Sequence, residues 1–259
     1  MRSILNPEVG NHIAAAVRRA GGFLLESLYP RRCPVCDEIV APGETLICTG
    51  CLKQISWVTG PACKACGREV SQERTEYCPD CMRRRHSFDR GMSLCNYNQI
   101  TSRSMARIKY QGRREYLDFY GTAIAEQLGK GLAAFGAEWL VPVPIHPARE
   151  RTRGFNQAQV LAERISSEME RLYKVKIPVE NDLLYRRKKT LPQKDLNPEA
   201  RLKNLEEAFE AGEISGDIRR VILVDDIYTT GSTADACAKV LKRAGVKEVL
   251  VVTICIGNQ

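Results

Sequence analysis

The sequence predicts an α/β domain over residues 85–259, preceded by a small cysteine-rich module over residues 30–84. Three observations carry that expectation. Four CxxC pairs crowd residues 33–81, and beyond residue 85 strand-like and helix-like segments alternate. The stretch VILVDDIYTTGST, residues 221–233, then runs an apolar strand into two carboxylates and a hydroxyl-rich loop. A chain of 259 residues has room for one full domain and a small module.

Residues 1–29 come first, and IAAAVRRAGGFLLESL within them reads as an amphipathic helix over residues 10–28. Arg18, Arg19 and Glu26 break its apolar run, and no A-x-A-like site follows, so it suits docking better than export or anchoring. No stretch approaches the roughly 18 uncharged apolar residues that a transmembrane helix needs. A cytoplasmic, reducing location is therefore expected.

Eleven cysteines in a reducing compartment call for a reason other than disulfides. Eight form the pairs Cys33–Cys36, Cys48–Cys51, Cys63–Cys66 and Cys78–Cys81, which start at a repeat of fifteen residues. A CxxC turn presents two thiolates to one metal, and two turns complete a tetrahedral shell. The flanks CPVC, CKACG and CPDC carry the Pro or Gly that such turns favour. The pattern predicts a double zinc ribbon holding about two structural zinc ions, with consecutive and crossed pairing both open. Four thiolates leave no position for a catalytic water, so the metal acts as scaffold. Cys95, Cys237 and Cys255 sit in apolar surroundings and are expected in the core.

In the α/β region, SFDRGMSLCNYN suggests an opening strand, and a helix from near Ile100 carries the basic run RSMARIKYQGRR. A second helix is expected from Leu117 to Ala134, and EWLVPVP is a short strand closed by its prolines. Residues 155–172 show helical spacing, with Val160, Leu161, Ile165 and Met169 as the stripe. The polar, proline-broken run over residues 186–205 reads as a long loop. RRVILVDD, STADACAKVLKRAG and VKEVLVVTICIG complete a strand–helix–strand unit.

That last unit is the most informative. Ligands of open α/β sheets bind at the carboxyl ends of the strands, where VILV places Asp225 and Asp226. The loop Thr229, Thr230, Gly231, Ser232 and Thr233 opens the next helix, and N–H groups there cradle phosphate. Carboxylates beside a phosphate site make sense if they accept hydrogen bonds from sugar hydroxyls. A ribose 5-phosphate satisfies both demands.

This stretch resembles the 5-phosphoribosyl 1-pyrophosphate (PRPP) motif of type I phosphoribosyltransferases, with Tyr228 standing where an aliphatic residue is commoner. LVPVPIHPARERTRGFNQ is similar to the pyrophosphate-loop region of that fold, and RKKTLPQKDLNPEARLKNLEEAF to its flexible hood. Together with the cysteine knuckles, SLYPRRCPVC, IKYQGRRE and RGFNQAQVLA, the chain resembles the ComF family over residues 24–257. The resemblance implies a type I phosphoribosyltransferase fold: an open, mostly parallel sheet with helices on both faces. It implies PRPP or a related phosphoribose as ligand, with Mg, and a role in natural competence. There the partners would be single-stranded DNA and a competence helicase or uptake protein, with the chain cytoplasmic or peripheral at the membrane uptake machinery.

Two functional classes follow. As a phosphoribosyltransferase, the chain would neutralise pyrophosphate with Arg149, Arg151 and Arg153, and with Lys188, Lys189 and Lys194 of the hood. The acceptor is unnamed, and His146 before proline is expected to be structural. Glutamine-dependent amidophosphoribosyl transfer is not expected, because MRSILN offers no N-terminal cysteine nucleophile. As a binding protein, the chain would hold single strands on basic clusters at residues 103–114, 149–153 and 186–194, with Tyr110, Tyr116, Phe155 and Tyr185 for stacking. A third reading makes the ribbons a docking platform. The formal charge of +8 favours anionic partners throughout.

Overall fold

A computed structural model describes residues 30–40, 46–186, 207–213, 216 and 218–257. The helix expected over residues 10–28 lies outside the described residues, as do Lys188, Lys189 and Lys194. The chain divides into two units, residues 1–53 and 54–259.

In the first unit the backbone folds tightly around Cys33. Its N–H donates to the Glu38 carbonyl at 2.8 Å, and its carbonyl accepts from Asp37 N–H at 2.9 Å. The second cysteine pair enters helix α1 (Thr49–Leu52), where the Cys48 sulfur accepts from Cys51 N–H. The second unit opens on the same design. Cys63 N–H donates to the Arg68 carbonyl at 2.7 Å, and Cys78 precedes α2 (Pro79–Arg83). The turn's left-handed position is Asp37 in one copy and Gly67 in the other, with φ of 68° and 78°. Only glycine fits the second copy, because an added Cβ would lie 2.6 Å from the Gly91 carbonyl oxygen.

The α/β part follows the alternation expected from sequence. β1 (Arg90–Asn96) leads to α3 (Gln99–Tyr110), which starts at a reciprocal Asn98–Thr101 capping box. Next come α4 (Tyr116–Phe135), β2 (Trp139–Pro142), α5 (Pro147–Arg153) and α6 (Gln157–Tyr173). A short antiparallel ribbon of β3 (Leu184–Arg186) and β4 (Phe209–Ala211) precedes β5 (Arg220–Tyr228), α7 (Ser232–Arg243) and β6 (Glu248–Ile256). The main sheet has the order β1-β6-β5-β2 and all its pairs are parallel.

Period-two alternation splits the core between the two faces of this sheet. Val221 and Leu223 pack with Val249, Val251, Cys237 and Leu241 beside α7. Ile222 and Val224 turn to the other face, where α4 and α6 pack on each other and on the strands. Cys95, Cys237 and Cys255 are all fully buried, as their apolar surroundings implied.

The C-terminal part of the outer edge of β1 is covered by the chain that precedes the second cysteine turn. Trp57 bridges antiparallel to Cys95. Val58 N–H donates to the Leu94 carbonyl at 3.1 Å, and Asn96 N–H to the Ser56 carbonyl at 2.7 Å.

Three elements differ from expectation. Residues 147–153, likened to a pyrophosphate-loop region, form α5, and the helix expected from Phe155 starts at Gln157. A seven-residue helix has no room to display a periodic stripe, and Pro147 at its first turn suits a helix start. The β3–β4 ribbon was also unforeseen, because three residues are too few for alternation to show.

Candidate functional site

β5 is central in the sheet, and its carboxyl end opens into a cavity of about 1330 Å³. Asp225 and Asp226 stand on its floor. Asp225 Oδ1 folds back to accept the Asp226 N–H at 2.8 Å. The residue keeps some surface open to the cavity, with protein atoms crowding around it. Burial, with the adjacent Asp226 carboxylate adding repulsion, pushes the Asp225 carboxyl well above the usual carboxylate range. Asp226 is 4% exposed and pairs with Lys109 Nζ from the last turn of α3.

The loop beyond β5 is shaped by Gly231, whose φ of 75° places it at the N-cap of α7. Gly231 brings no capping side chain of its own, which leaves first-turn N–H groups open to an anion. Thr230 and Ser232 exchange a hydroxyl hydrogen bond at 2.9 Å on the open side. Tyr228 is buried beneath the loop, edge-on to Phe88, and its hydroxyl lies where a Cβ at residue 231 would fall. The unusual tyrosine therefore supports the loop from inside rather than lining the cavity.

The opposite wall is cationic. Arg149 and Arg153 reach the cavity from α5, and Arg186 from the end of β3. Arg153 donates through Nε to the Lys109 carbonyl at 3.0 Å and is bonded to Gln157 through Nη1. Burial draws its guanidinium pKa down while Asp226 opposes the change. Arg186 is lowered by burial and next by the nearby Arg149 charge, and its guanidinium stacks 5.2 Å from the Phe209 ring. The RGFNQ segment is largely architectural. Gly154 ends α5 at φ 84°, and Asn156 caps α6 while donating to the Val143 carbonyl at 3.1 Å.

The eight knuckle cysteines gather as two consecutive sets, Cys33, Cys36, Cys48 and Cys51, and Cys63, Cys66, Cys78 and Cys81. Consecutive pairing is thus adopted over the crossed alternative. The Cys36–Cys48 and Cys66–Cys78 sulfur separations are 3.8 and 3.7 Å. Tetrahedral zinc with Zn–S near 2.3 Å requires about 3.8 Å. Ionisation agrees with a cation site. Burial raises Cys33 and Cys63, but knuckle N–H groups outweigh it and bring both to about 7. Cys66 is pushed up to about 12, first by burial and then, among other influences, by the charges of Cys63 and Cys78. Four thiolates at this spacing repel one another until a divalent ion joins them.

Of the residues singled out from sequence, Asp225, Asp226, Thr229, Thr233, Arg149 and Arg153 share the cavity wall. Thr230, Gly231 and Ser232 belong to the loop above it, and Arg151 faces solvent on α5 outside the lining. His146 caps α5, its Nδ1 accepting from Ala148 N–H at 3.1 Å, and it also lines the cavity. Lys109 and Arg186 were visible only as members of basic runs, and no spacing rule marked either for the cavity. Among the aromatics proposed for stacking, Tyr110 is 82% exposed at the cavity wall, whereas Tyr116 is buried.

Comparison with known proteins agrees with this layout. Residues 24–82 match a double zinc ribbon domain and residues 152–259 a phosphoribosyl transferase domain. Competence protein F of Haemophilus influenzae is 31% identical over 231 residues, spanning 85% of this chain and 94% of that protein. Competence protein ComFC of Bacillus subtilis is 29% identical, covering 80% and 82% of the two chains. The DNA utilization protein YhgH of Escherichia coli K12 is 25% identical over 87% of this chain and 97% of its own. With both domains matched in order and a relative of this similarity aligned over nearly its whole length, the chain belongs to the ComF family.

Proposed function

We propose that the cavity at the carboxyl end of β5 binds Mg-PRPP or a related phosphoribose, and that the protein serves natural competence by handling incoming single-stranded DNA. One observation carries the ligand: a carboxylate pair beside an uncapped helix N-terminus, faced by arginines across one cavity. In this reading Asp225 and Asp226 accept hydrogen bonds from the ribose hydroxyls, and the N–H groups and hydroxyls of residues 229–233 hold the 5-phosphate. Arg149, Arg153 and Arg186 neutralise the pyrophosphate, with Mg bound alongside it. Lys109 balances the carboxylates until the ligand arrives.

Zinc in the two four-cysteine sets would hold the knuckles, leaving catalysis and binding to the cavity. The competence role draws on the names of the relatives, and Tyr110 beside the basic wall offers a stacking face for a nucleobase. A cytoplasmic site of action fits that role. Among the described residues no helix is long and apolar enough to cross a membrane.

Titration with Mg-PRPP, followed by calorimetry and by pyrophosphate release, tests the ligand. The expected result is saturable binding that the paired substitution Asp225→Asn and Asp226→Asn weakens at least about a hundredfold, the scale of two lost charge-assisted hydrogen bonds. Absence of binding at millimolar ligand would refute it. Pyrophosphate released without an added acceptor would identify turnover toward water; release only with an acceptor would identify a transferase.

A further inference from the structure

The second cysteine set does more than close a knuckle, because its surroundings run directly into the loop of residues 228–232. Cys63, Cys66 and Cys78 are buried in the same core as Tyr228 and Ala234. The Cys66 turn meets β1 backbone to backbone: an added Cβ at Gly91 would stand 2.5 Å from the Cys66 carbonyl oxygen. Such contact leaves no room for the turn to shift without moving the sheet.

Two polar routes lead from this set to the loop. Arg68, two residues beyond Cys66, is 8% exposed and donates from Nη2 to the Thr229 carbonyl at 3.3 Å. Its Asp80 partner lies 3.8 Å away, between the ligands Cys78 and Cys81, and its Nε is buried with no partner among the described residues. The second route ends on Asp235, in the first turn of α7 and 5% exposed. Asp235 Oδ1 accepts from Ser87 N–H at 2.6 Å, and Oδ2 faces His86 Nδ1 at 3.1 Å and Arg84 Nη2. The other ring nitrogen of His86 lies 3.4 Å from Cys81 Sγ and 3.5 Å from the Tyr228 hydroxyl. Asp235 N–H in turn donates to the Gly231 carbonyl at 2.8 Å. The strand side of the loop is thus held through Arg68, and its helix side through Asp235.

We propose that the second four-cysteine set is the foundation of the phosphate loop, with Arg68 and Asp235 as positioning residues that transmit its integrity to residues 229–233. Buried charge on a loop carbonyl, with alternatives removed by packing, fixes one backbone conformation before any ligand binds. Metal at Cys63, Cys66, Cys78 and Cys81 would therefore govern the affinity of the loop for a phosphorylated sugar. This inference rests on the phosphoribose reading for its ligand, but not for the coupling itself.

The test uses the full chain and three readouts: zinc content, hydrogen exchange of residues 225–236 without ligand, and affinity for Mg-PRPP. Arg68→Met and Asp235→Asn leave every cysteine in place, so both should retain the zinc content of the parent. Loop amides are expected to exchange at least about tenfold faster while β5 and β6 stay protected, and affinity should fall about tenfold, the effect of one lost buried charge-assisted bond. Arg68→Lys should recover part of both changes. Cys81→Ser should loosen the loop further, whereas Cys36→Ser, which removes a ligand of the other set, should leave its exchange as in the parent. Parent-like loop exchange in Arg68→Met and Asp235→Asn overturns the proposal, as does equal loosening by Cys36→Ser. If the parent itself does not bind Mg-PRPP, the ligand reading fails and loop exchange alone decides the coupling.

Discussion

Asp225 is a residue whose ionisation the fold resists. In an unfolded chain its carboxyl titrates near 3.9, and burial beside Asp226 places the folded value well above that. Between the two values the unfolded chain gives up its proton first. The stability contributed by Asp225 is therefore complete below about pH 4 and is lost as pH rises through the folded value. Asp225→Asn keeps the shape and cannot ionise, so the free protein should melt higher than the parent at pH 7.5. The gain follows from the higher proton affinity of the folded state, each tenfold of which is worth about 1.4 kcal/mol. It should shrink toward pH 4. Calorimetric melting across that range checks this, and identical curves for the two proteins would refute it. Stability gained there while ligand binding is lost would mark Asp225 as a residue kept for its ligand at the expense of the empty state.

At the scale of elements, legibility followed the length of the pattern. The nine-residue strands β5 and β6 and the helix between them were readable because apolar runs, a glycine-bearing loop and a helical stripe all agree. The loop residues 229–233 could be named for the same reason. α5 and the β3–β4 ribbon were not readable, being shorter than the periods that would reveal them. Lys109 and Arg186 reach the cavity through the register of α3 and of that ribbon, so their place was set by tertiary packing rather than by local spacing. Tyr228 was legible as a departure, but its burial against Phe88 depends on a segment more than a hundred residues earlier. The cysteine sets give the clearest prediction at this scale. Elemental analysis should find about two zinc ions per chain, and Cys36→Ser or Cys66→Ser should each retain about one. A variant with full zinc and an intact fold would contradict tetrathiolate ligation.

For the whole molecule, the excess of cations becomes meaningful through where it collects. Arg149 and Arg153 face the cavity, Arg151 lies on solvent beside them, and Tyr110 stands exposed at the same wall. If single-stranded DNA lies along this surface, each phosphate contact adds about −0.7 to the slope of log affinity against log salt. Engagement of these three arginines predicts a slope of about −2 or steeper, and replacing all three with Gln should flatten it toward zero. Fluorescence anisotropy on a short oligonucleotide from about 50 to 300 mM salt, values chosen to span the usual range, measures it; a slope unchanged by the replacement would assign DNA to another face. The strip at residues 56–58 matters on this scale too. It bonds the C-terminal part of the outer edge of β1, through the Leu94 carbonyl and the Asn96 N–H, where bare groups would otherwise face other chains. Proteolytic clipping after Lys53 would leave that cover in place, whereas clipping after Arg85 would strip it away. The short run between the two cysteine modules thereby shields part of a sheet edge, and a chain truncated at Arg85 is expected to scatter more light than one truncated at Lys53.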